Sequence, residues 1–209
     1  MAIKVLIYED NEPLRKSIQT LLLWDTAFDV VAALPDAVCA REDVIVLKPD
    51  VVLMDIDMPL SNGVEAVTSV RKEFLDLPIV MFTVFEDDEN IFKAIRAGAN
   101  GYLLKKNFDQ IPAALKDVLD GGAPMTSSVA KKVLNFIPKN NTEGNAEIES
   151  LSKREVEILE YITKGYSYKM IGEQLFIATE TVRTHIKKIY KKLQVNSATE
   201  AVYKYTNSK

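Results

Sequence analysis

The stretch "DVVLMDIDMP" (residues 50–59) joins an apolar run directly to two aspartates and a proline. Consecutive apolar residues of this kind are typical of a strand that is buried on both faces, as in a parallel sheet covered by helices. The stretch therefore predicts a strand over 50–54 in a parallel α/β sheet, and it places Asp55 at the carboxyl end of that strand.

Four more apolar runs have the same character, and amphipathic stretches separate them. The runs are "IKVLIY" (3–8), "FDVVAA" (28–33), "PIVMF" (78–82) and "GYLL" (101–104). The amphipathic stretches lie near 13–24, 36–47, 64–74, 88–97 and 108–120. Strict alternation of strands and helices predicts a five-stranded, parallel, doubly wound α/β sheet. In such sheets, functional residues gather at the carboxyl ends of the strands.

The pattern changes after "DGGAP" (120–124). "TSSVAKKVLNFI" (126–137) is consistent with a short helix capped by Ser127 or Ser128, and "PKNNTEGN" (138–145) has the composition of a linker. Short helical segments follow from Ile148. We therefore expect three parts: an α/β domain over 1–124, a linker with a possible short helix over 125–146, and a small all-α domain over 147–209.

The composition is that of a globular protein, with 47% apolar and 27% charged residues among 209. Residues 1–124 carry a net charge of −9 and residues 125–209 a net charge of +5, which suggests two different tasks. One cysteine, Cys39, excludes an internal disulfide framework, fits a reducing compartment and is expected to be a packed thiol. No apolar run approaches the length of a membrane span, so we expect a cytoplasmic protein without a membrane partner.

Acidic residues follow two of the predicted strands. Glu9 and Asp10 follow the first strand, and Asp55 follows the third with Asp57 two residues later. Three converging carboxylates repel one another unless a cation neutralises them, and hard oxygen ligands suit Mg²⁺. The plainer alternative is that each acid simply faces water at a strand end.

The fourth and fifth predicted strands end in a hydroxyl and an ammonium group. Thr83 follows "MF" and Lys105 follows "GYLL". Alone, the threonine would be an ordinary β-prone residue and the lysine a solvated charge. Beside a metal-bound aspartate, they form a receptor for a phosphoryl group, with Asp55 as the nucleophile.

The segment "RTHIKKIYKKL" (183–193) places five cations on a helix inside the more basic half of the chain. Ile186, Ile189 and Leu193 recur at helical spacing and predict one buried face. A shorter helix and a tight turn come before it, which is the layout of a helix-turn-helix. A merely solvated face is the alternative. His185, the only histidine, is expected to be packed and hydrogen-bonded rather than a metal ligand.

The segments "VLIYEDNEPLR", "DVVLMDIDMPLSNGVEAV" and "PIVMFTVFEDDENIFKAIRAGANGYLLKK" resemble the receiver domain of two-component response regulators, from residue 3 to about 122. The resemblance implies phosphoryl transfer from a sensor histidine kinase to Asp55. It implies Mg²⁺ bound by Glu9, Asp10, Asp55 and the backbone carbonyl of Asp57. It also implies that Thr83 and Tyr102 are the switch pair. Val84 departs from the pattern, which more often has a smaller side chain there.

Residues 151–202 resemble the LuxR-type DNA-binding domain, above all in "TVRTH" and "KLQV". The whole chain is thus similar to a NarL/FixJ-type response regulator. The resemblance implies base contacts by Arg183, Thr184 and Lys187, and a dimerisation helix near 197–206. It makes a second set of residues candidates for DNA phosphate contact: Tyr168, Lys169, Lys188, Tyr190 and Lys191. Ala178 stands where the family usually has a serine cap, and Thr179 is the candidate substitute.

The sequence thus predicts a phosphorylation-switched transcription factor that binds double-stranded promoter DNA as a homodimer. An enzyme that turns over an aspartyl-phosphate is disfavoured, because no inserted segment is long enough to build a cap domain. A phospho-signalling interaction adaptor without DNA binding is the remaining alternative.

Overall fold

Five parallel strands form one sheet in the first half of the chain. The computed structural model describes residues 2–135, 148, 150–195 and 197–206. The strands are β1 (Ile3–Tyr8), β2 (Phe28–Leu34), β3 (Val51–Met54), β4 (Ile79–Thr83) and β5 (Gly101–Leu104). Their spatial order is β2-β1-β3-β4-β5, so the direction of winding reverses between β1 and β3. The predicted five-stranded parallel sheet is confirmed.

Helices cover both faces of the sheet. They are α1 (Glu12–Leu23), α2 (Ala40–Leu47), α3 (Gly63–Arg71), α4 (Asp88–Ala97) and α5 (Ile111–Leu119). The buried residues of α1 and α5 share one core cluster, and those of α2, α3 and α4 share the other. Both clusters take alternate residues of the same strands, which is why these strands are apolar along their whole length.

The prediction that Cys39 is a packed thiol is wrong. This residue is exposed and lies just before α2. The preceding residues form a turn instead of helix, because Asp36 accepts the N–H of Val38 at 3.1 Å and Ser61 accepts the N–H of Ala37 at 2.8 Å. A short 3₁₀ segment, Lys105–Gln110, was likewise not predicted before α5.

The chain after α5 returns to the sheet. The predicted cap at Ser127 or Ser128 is wrong: helix α6 (Ser127–Asn135) already includes both serines, and Thr126 just before it accepts the N–H of Val129 at 3.4 Å. The buried Val129 and Val133 belong to the same core cluster as α4. The predicted linker at 138–145 falls outside the described residues.

Four helices among the described residues after 150 form a second domain with its own core. They are α7 (Lys153–Thr163), α8 (Tyr168–Leu175), α9 (Thr179–Leu193) and α10 (Ala198–Thr206). Ser152 and Glu155 form a reciprocal capping box at the start of α7. Lys192 of α9 pairs with the same Glu155 at 2.7 Å, so the long basic helix is held against α7. The predicted helical domain is confirmed.

Gly63 supports the backbone on which Asp55 stands. A Cβ atom at Gly63 would lie 1.9 Å from the carbonyl oxygen of Asp55. The N–H of Gly63 also donates to the carbonyl of Ile56 at 2.8 Å. Only a residue without a side chain allows α3 to start so close to the end of β3.

We predict that Gly63→Ala lowers the free energy of unfolding by about 2–3 kcal/mol, the upper range for overpacking, because the clash is with backbone. Urea denaturation of the full chain measures this change. Thr68→Ala, on the exposed face of the same helix, is the control and should stay within about 0.5 kcal/mol of the original chain. Equal stability of the two variants would contradict the role assigned to Gly63.

Candidate functional site

The carboxyl ends of four strands bring the predicted polar residues to one edge of the sheet. Glu9 and Asp10 follow β1, Asp55 follows β3, Thr83 ends β4 and Lys105 follows β5. This edge lies at the point where the winding direction reverses, which is where open α/β sheets bind their ligands. The residues come together because the strands are parallel and in register.

Three carboxylates form the acidic part of this edge. One ligand oxygen from each of Glu9, Asp10 and Asp55 lies within 4.8 Å of those of the other two. Glu9 and Asp55 are buried and Asp10 is exposed. Hard oxygen donors in such a cluster suit a magnesium ion that keeps some of its waters. The donor set here fits that ion.

Lys105 neutralises part of this charge. Its Nζ atom lies 2.7 Å from Oδ2 of Asp55 and 2.8 Å from Oε2 of Glu9. Burial alone would lower the pKa of Lys105, but the contacts with Asp55 and Glu9 outweigh it, and the pKa is raised. The lysine therefore stays charged.

Burial raises the pKa of Asp55, and the hydrogen bond from Lys105 opposes that rise. The same two effects act on Glu9, whose pKa is also raised. The second oxygen of Asp55, Oδ1, accepts the N–H of Ile56 at 2.7 Å, which fixes the orientation of the carboxylate. Asp55 is thus a buried, oriented carboxylate beside one cation.

Thr83 and Tyr102 are both buried, and the hydroxyl of Thr83 is hydrogen-bonded to Asp55. Phe85 connects them: its N–H donates to Oγ1 of Thr83 at 3.4 Å, and its carbonyl accepts the hydroxyl of Tyr102 at 2.9 Å. Asp57 lies in a two-residue hairpin, paired with Asn62, and Val84 is exposed beyond the end of β4.

The basic helix α9 presents most of its predicted DNA-contacting residues to solvent. Thr184, Lys187, Lys188 and Lys191 are exposed, as is Lys169 of α8. Tyr190 is different: its ring is buried in the core of the helical domain, and its hydroxyl is buried beside that of Tyr168. In this conformation the hydroxyl of Tyr190 cannot reach a DNA phosphate, because it lies in the cleft between the two domains, which Asp76 and Pro78 of the α/β domain also line.

The start of α9 differs from the predicted cap. Ala178 occupies the cap position and offers no side-chain acceptor, and Thr179 is already the first helical residue. Thr179 is therefore not a substitute cap. His185 is half-buried, and its Nδ1 atom has no hydrogen-bond partner within the described part of the chain, contrary to the expected bond.

Two of the predicted base-contacting residues touch the α/β domain. A guanidinium nitrogen of Arg183 donates to the carbonyl of Leu119 at the end of α5, and Nζ of Lys187 lies 2.6 Å from Oδ2 of Asp76. The N–H of Tyr168 donates to the carbonyl of Asp120 at 2.7 Å. We call these three contacts the docking contacts.

Sequence reasoning missed Asp76 and the end of α5 as partners of the basic helix. Asp76 lies in a surface loop, and the other two acceptors are backbone carbonyls. The opposite net charges of the two domains were the one available signal, and they indicate attraction without specifying residues.

Comparisons with known proteins match both halves of the chain. Residues 5–116 match the family described as response regulator receiver domain, and residues 149–205 match the bacterial regulatory proteins of the luxR family. The second match includes the whole of α9, which favours DNA binding over the adaptor alternative. Across the described ranges, no helix is long and apolar enough to cross a membrane.

Relatives match along nearly the full length. Transcriptional regulatory protein LiaR of Bacillus subtilis (strain 168) is 37% identical, over 98% of this chain and 98% of its own. Transcriptional regulatory protein DegU of Brevibacillus brevis is 34% identical, over 96% and 91%. A crystal structure of a LuxR-family two-component response regulator from Aurantimonas sp. SI85-9A1 superposes with a TM-score of 0.61 at 26% identity, over 65% of this chain and 97% of that one.

One family accounts for three observations: the acidic edge with its lysine, the basic helix-turn-helix and the relatives that match along nearly the full length. The chain belongs to the NarL/FixJ-type response regulators, DNA-binding transcription regulators in which a receiver domain precedes a LuxR-type domain.

Proposed function

We propose that Asp55 accepts a phosphoryl group from a sensor histidine kinase in the cytoplasm, and that this transfer switches promoter binding. The observation that carries the proposal is the position of Lys105, which joins Asp55 to Glu9 at the strand ends. A carboxylate oxygen of Asp55 attacks phosphorus, the P–N bond to the kinase histidine breaks, and a P–O bond forms. Lys105 offsets the negative charge that gathers on the transferred group.

Glu9, Asp10 and Asp55 would hold Mg²⁺, together with the backbone carbonyl of Asp57. The ion supplies further neutralisation of the phosphoryl oxygens when it is bound. The chain's own contribution is to hold the acids in place, since Gly63 and the N–H of Ile56 fix the backbone and carboxylate of Asp55.

Thr83 and Tyr102 would report the change. The hydroxyl of Thr83 is placed to donate to a phosphoryl oxygen on Asp55, which withdraws it from the N–H of Phe85. Tyr102 is bonded to the carbonyl of the same Phe85, so the loop after β4 is held by both switch residues. Movement of that loop favours a homodimer.

Arg183, Thr184 and Lys187 would contact base edges in the major groove, and Lys169, Tyr168, Lys188 and Lys191 would contact phosphates. In the docked arrangement Arg183 and Lys187 are bonded to the receiver domain, so the same groups are not available to DNA. Phosphorylation therefore acts by undocking α9 and by pairing two copies on an inverted repeat. We infer that residues 1–124 form the receiver domain, residues 125–146 the linker and residues 147–209 the DNA-binding domain.

Asp55→Asn should abolish labelling. Incubation with acetyl phosphate and Mg²⁺ should add one acid-labile phosphoryl group to the original chain and none to the variant, as intact mass spectrometry measures. Asp57→Asn is the matched control, because its proposed ligand is the backbone carbonyl, and it should still be labelled. Labelling of Asp55→Asn would contradict the assignment.

Lys188→Ala and Arg183→Ala should weaken DNA binding in different ways. Loss of Lys188 should lower affinity for all duplexes and flatten the salt dependence by roughly one unit of slope. Loss of Arg183 should cost about 1–3 kcal/mol on the specific duplex and less on a scrambled one. Anisotropy titrations with beryllofluoride present measure both in the undocked state. Equal losses on both duplexes for Arg183→Ala would exclude it as a base reader.

Gly121→Ala should raise the DNA affinity of the unphosphorylated protein several-fold. A Cβ atom there would lie 2.4 Å from the Tyr168 ring, so the variant disrupts docking. Gly165→Ala is the matched control: both glycines have positive φ, 88° and 79°, but no atom lies within 4 Å of a Cβ at Gly165. Both variants carry about 1 kcal/mol of backbone strain. The same affinity for both, by anisotropy without a phosphoryl mimic, would show that docking does not limit DNA binding.

A further inference from the structure

Helix α6 is part of the receiver core, although it lies beyond the last strand and helix of the sheet. Val129 is fully buried and Val133 is nearly so, in the same cluster as Tyr102 and Ile91. The segment before α6 runs along the free edge of β5, where the N–H of Tyr102 donates to the carbonyl of Pro124 at 2.8 Å. The switch tyrosine is thus bonded through its backbone to the segment just before α6 and through its hydroxyl to Phe85.

Glu86 connects the loop after β4 to α6. Its carboxylate pairs with Lys106 at 2.8 Å and lies 3.4 Å from the hydroxyl of Ser128. Its backbone carbonyl accepts the ammonium of Lys132, which also lies 3.0 Å from Oδ1 of Asp88. Lys106 is the neighbour of Lys105, and Glu86 is the neighbour of Phe85. Two pairs of sequence neighbours, Lys105–Lys106 and Phe85–Glu86, therefore connect the acidic edge to α6.

We propose that Lys132 anchors α6 to the unphosphorylated receiver domain and that phosphorylation at Asp55 releases this anchor. The proposal rests on the proposed function and adds the route by which the signal leaves the receiver domain. One ammonium reaches the carbonyl of Glu86 and the carboxylate of Asp88 together only while the loop and the first turn of α4 keep their present spacing.

The switch alters that spacing. When Thr83 turns to the phosphoryl group, the N–H of Phe85 loses its acceptor, and the backbone carrying Glu86 moves with Phe85. Lys132 then keeps at most one of its two partners. Its contacts are partly exposed, so each contributes little stability and is easily exchanged for water. Loss of this anchor lets α6 open more often from the receiver core, at the point from which the chain continues to the DNA-binding domain.

Hydrogen exchange of the full chain, read in peptides covering 124–135, tests the proposal. Beryllofluoride with Mg²⁺ should speed exchange in these peptides about two- to fivefold, as the loss of one partly exposed contact implies. Lys132→Ala should show the same increase without the mimic, and Lys132→Arg, which keeps the donors, should restore slow exchange. Lys131→Ala, an exposed neighbour on the same helix, is the control and should behave as the original chain.

The result that would overturn the proposal is exchange in 124–135 that stays unchanged with beryllofluoride, or with Lys132→Ala. Labelling of Asp55 by acetyl phosphate, measured without beryllofluoride, and DNA affinity, measured with and without it, report separately on the proposed function. If Asp55 is labelled and the mimic raises DNA affinity while exchange in 124–135 stays unchanged, the anchor is wrong and the proposed function stands.

Discussion

The ammonium of Lys105 lies among three carboxylates at the end of one sheet, two of them buried. Like charges at this distance favour either protonation or a bound cation, and burial strengthens both tendencies. Lys105 is bonded to Glu9 and Asp55 and therefore compensates only part of the charge. The edge is in this way sensitive to any group that adds or removes charge, which is the property a chemical switch requires.

Each contact that connects this edge to α6 or to the DNA-binding domain contributes little stability by itself. The Glu86 contacts and the docking contacts include ion pairs that are largely open to water, and exposed pairs of this kind are worth roughly 0–1 kcal/mol. A switch between two states needs a difference of only a few kcal/mol between them. Stronger contacts would hold the docked state against any signal, so their weakness suits regulation.

Much of the fold and of the acidic edge could be predicted, because strand composition and the alternation of strands with amphipathic helices can be read from the local sequence. The apolar run before Asp55 indicated a strand, and the parallel sheet then brought Lys105 to it. Cys39 was misplaced because a turn formed by Asp36 interrupts an apolar pattern that looks helical. The Asp76–Lys187 contact was not predictable, since it joins two ordinary surface charges far apart in the sequence.

The hydrogen bond from the N–H of Tyr102 to the carbonyl of Pro124 also affects where a receiver domain can be separated from its output domain. The receiver family match ends at residue 116, yet β5 finds its outer partner at Pro124 and its covering residues at Val129 and Val133. A receiver cut at its family boundary would leave an open sheet edge and an uncovered apolar face, both of which promote self-association. Gene fusions that transplant this receiver onto another output domain must therefore bring the segment through α6 with it.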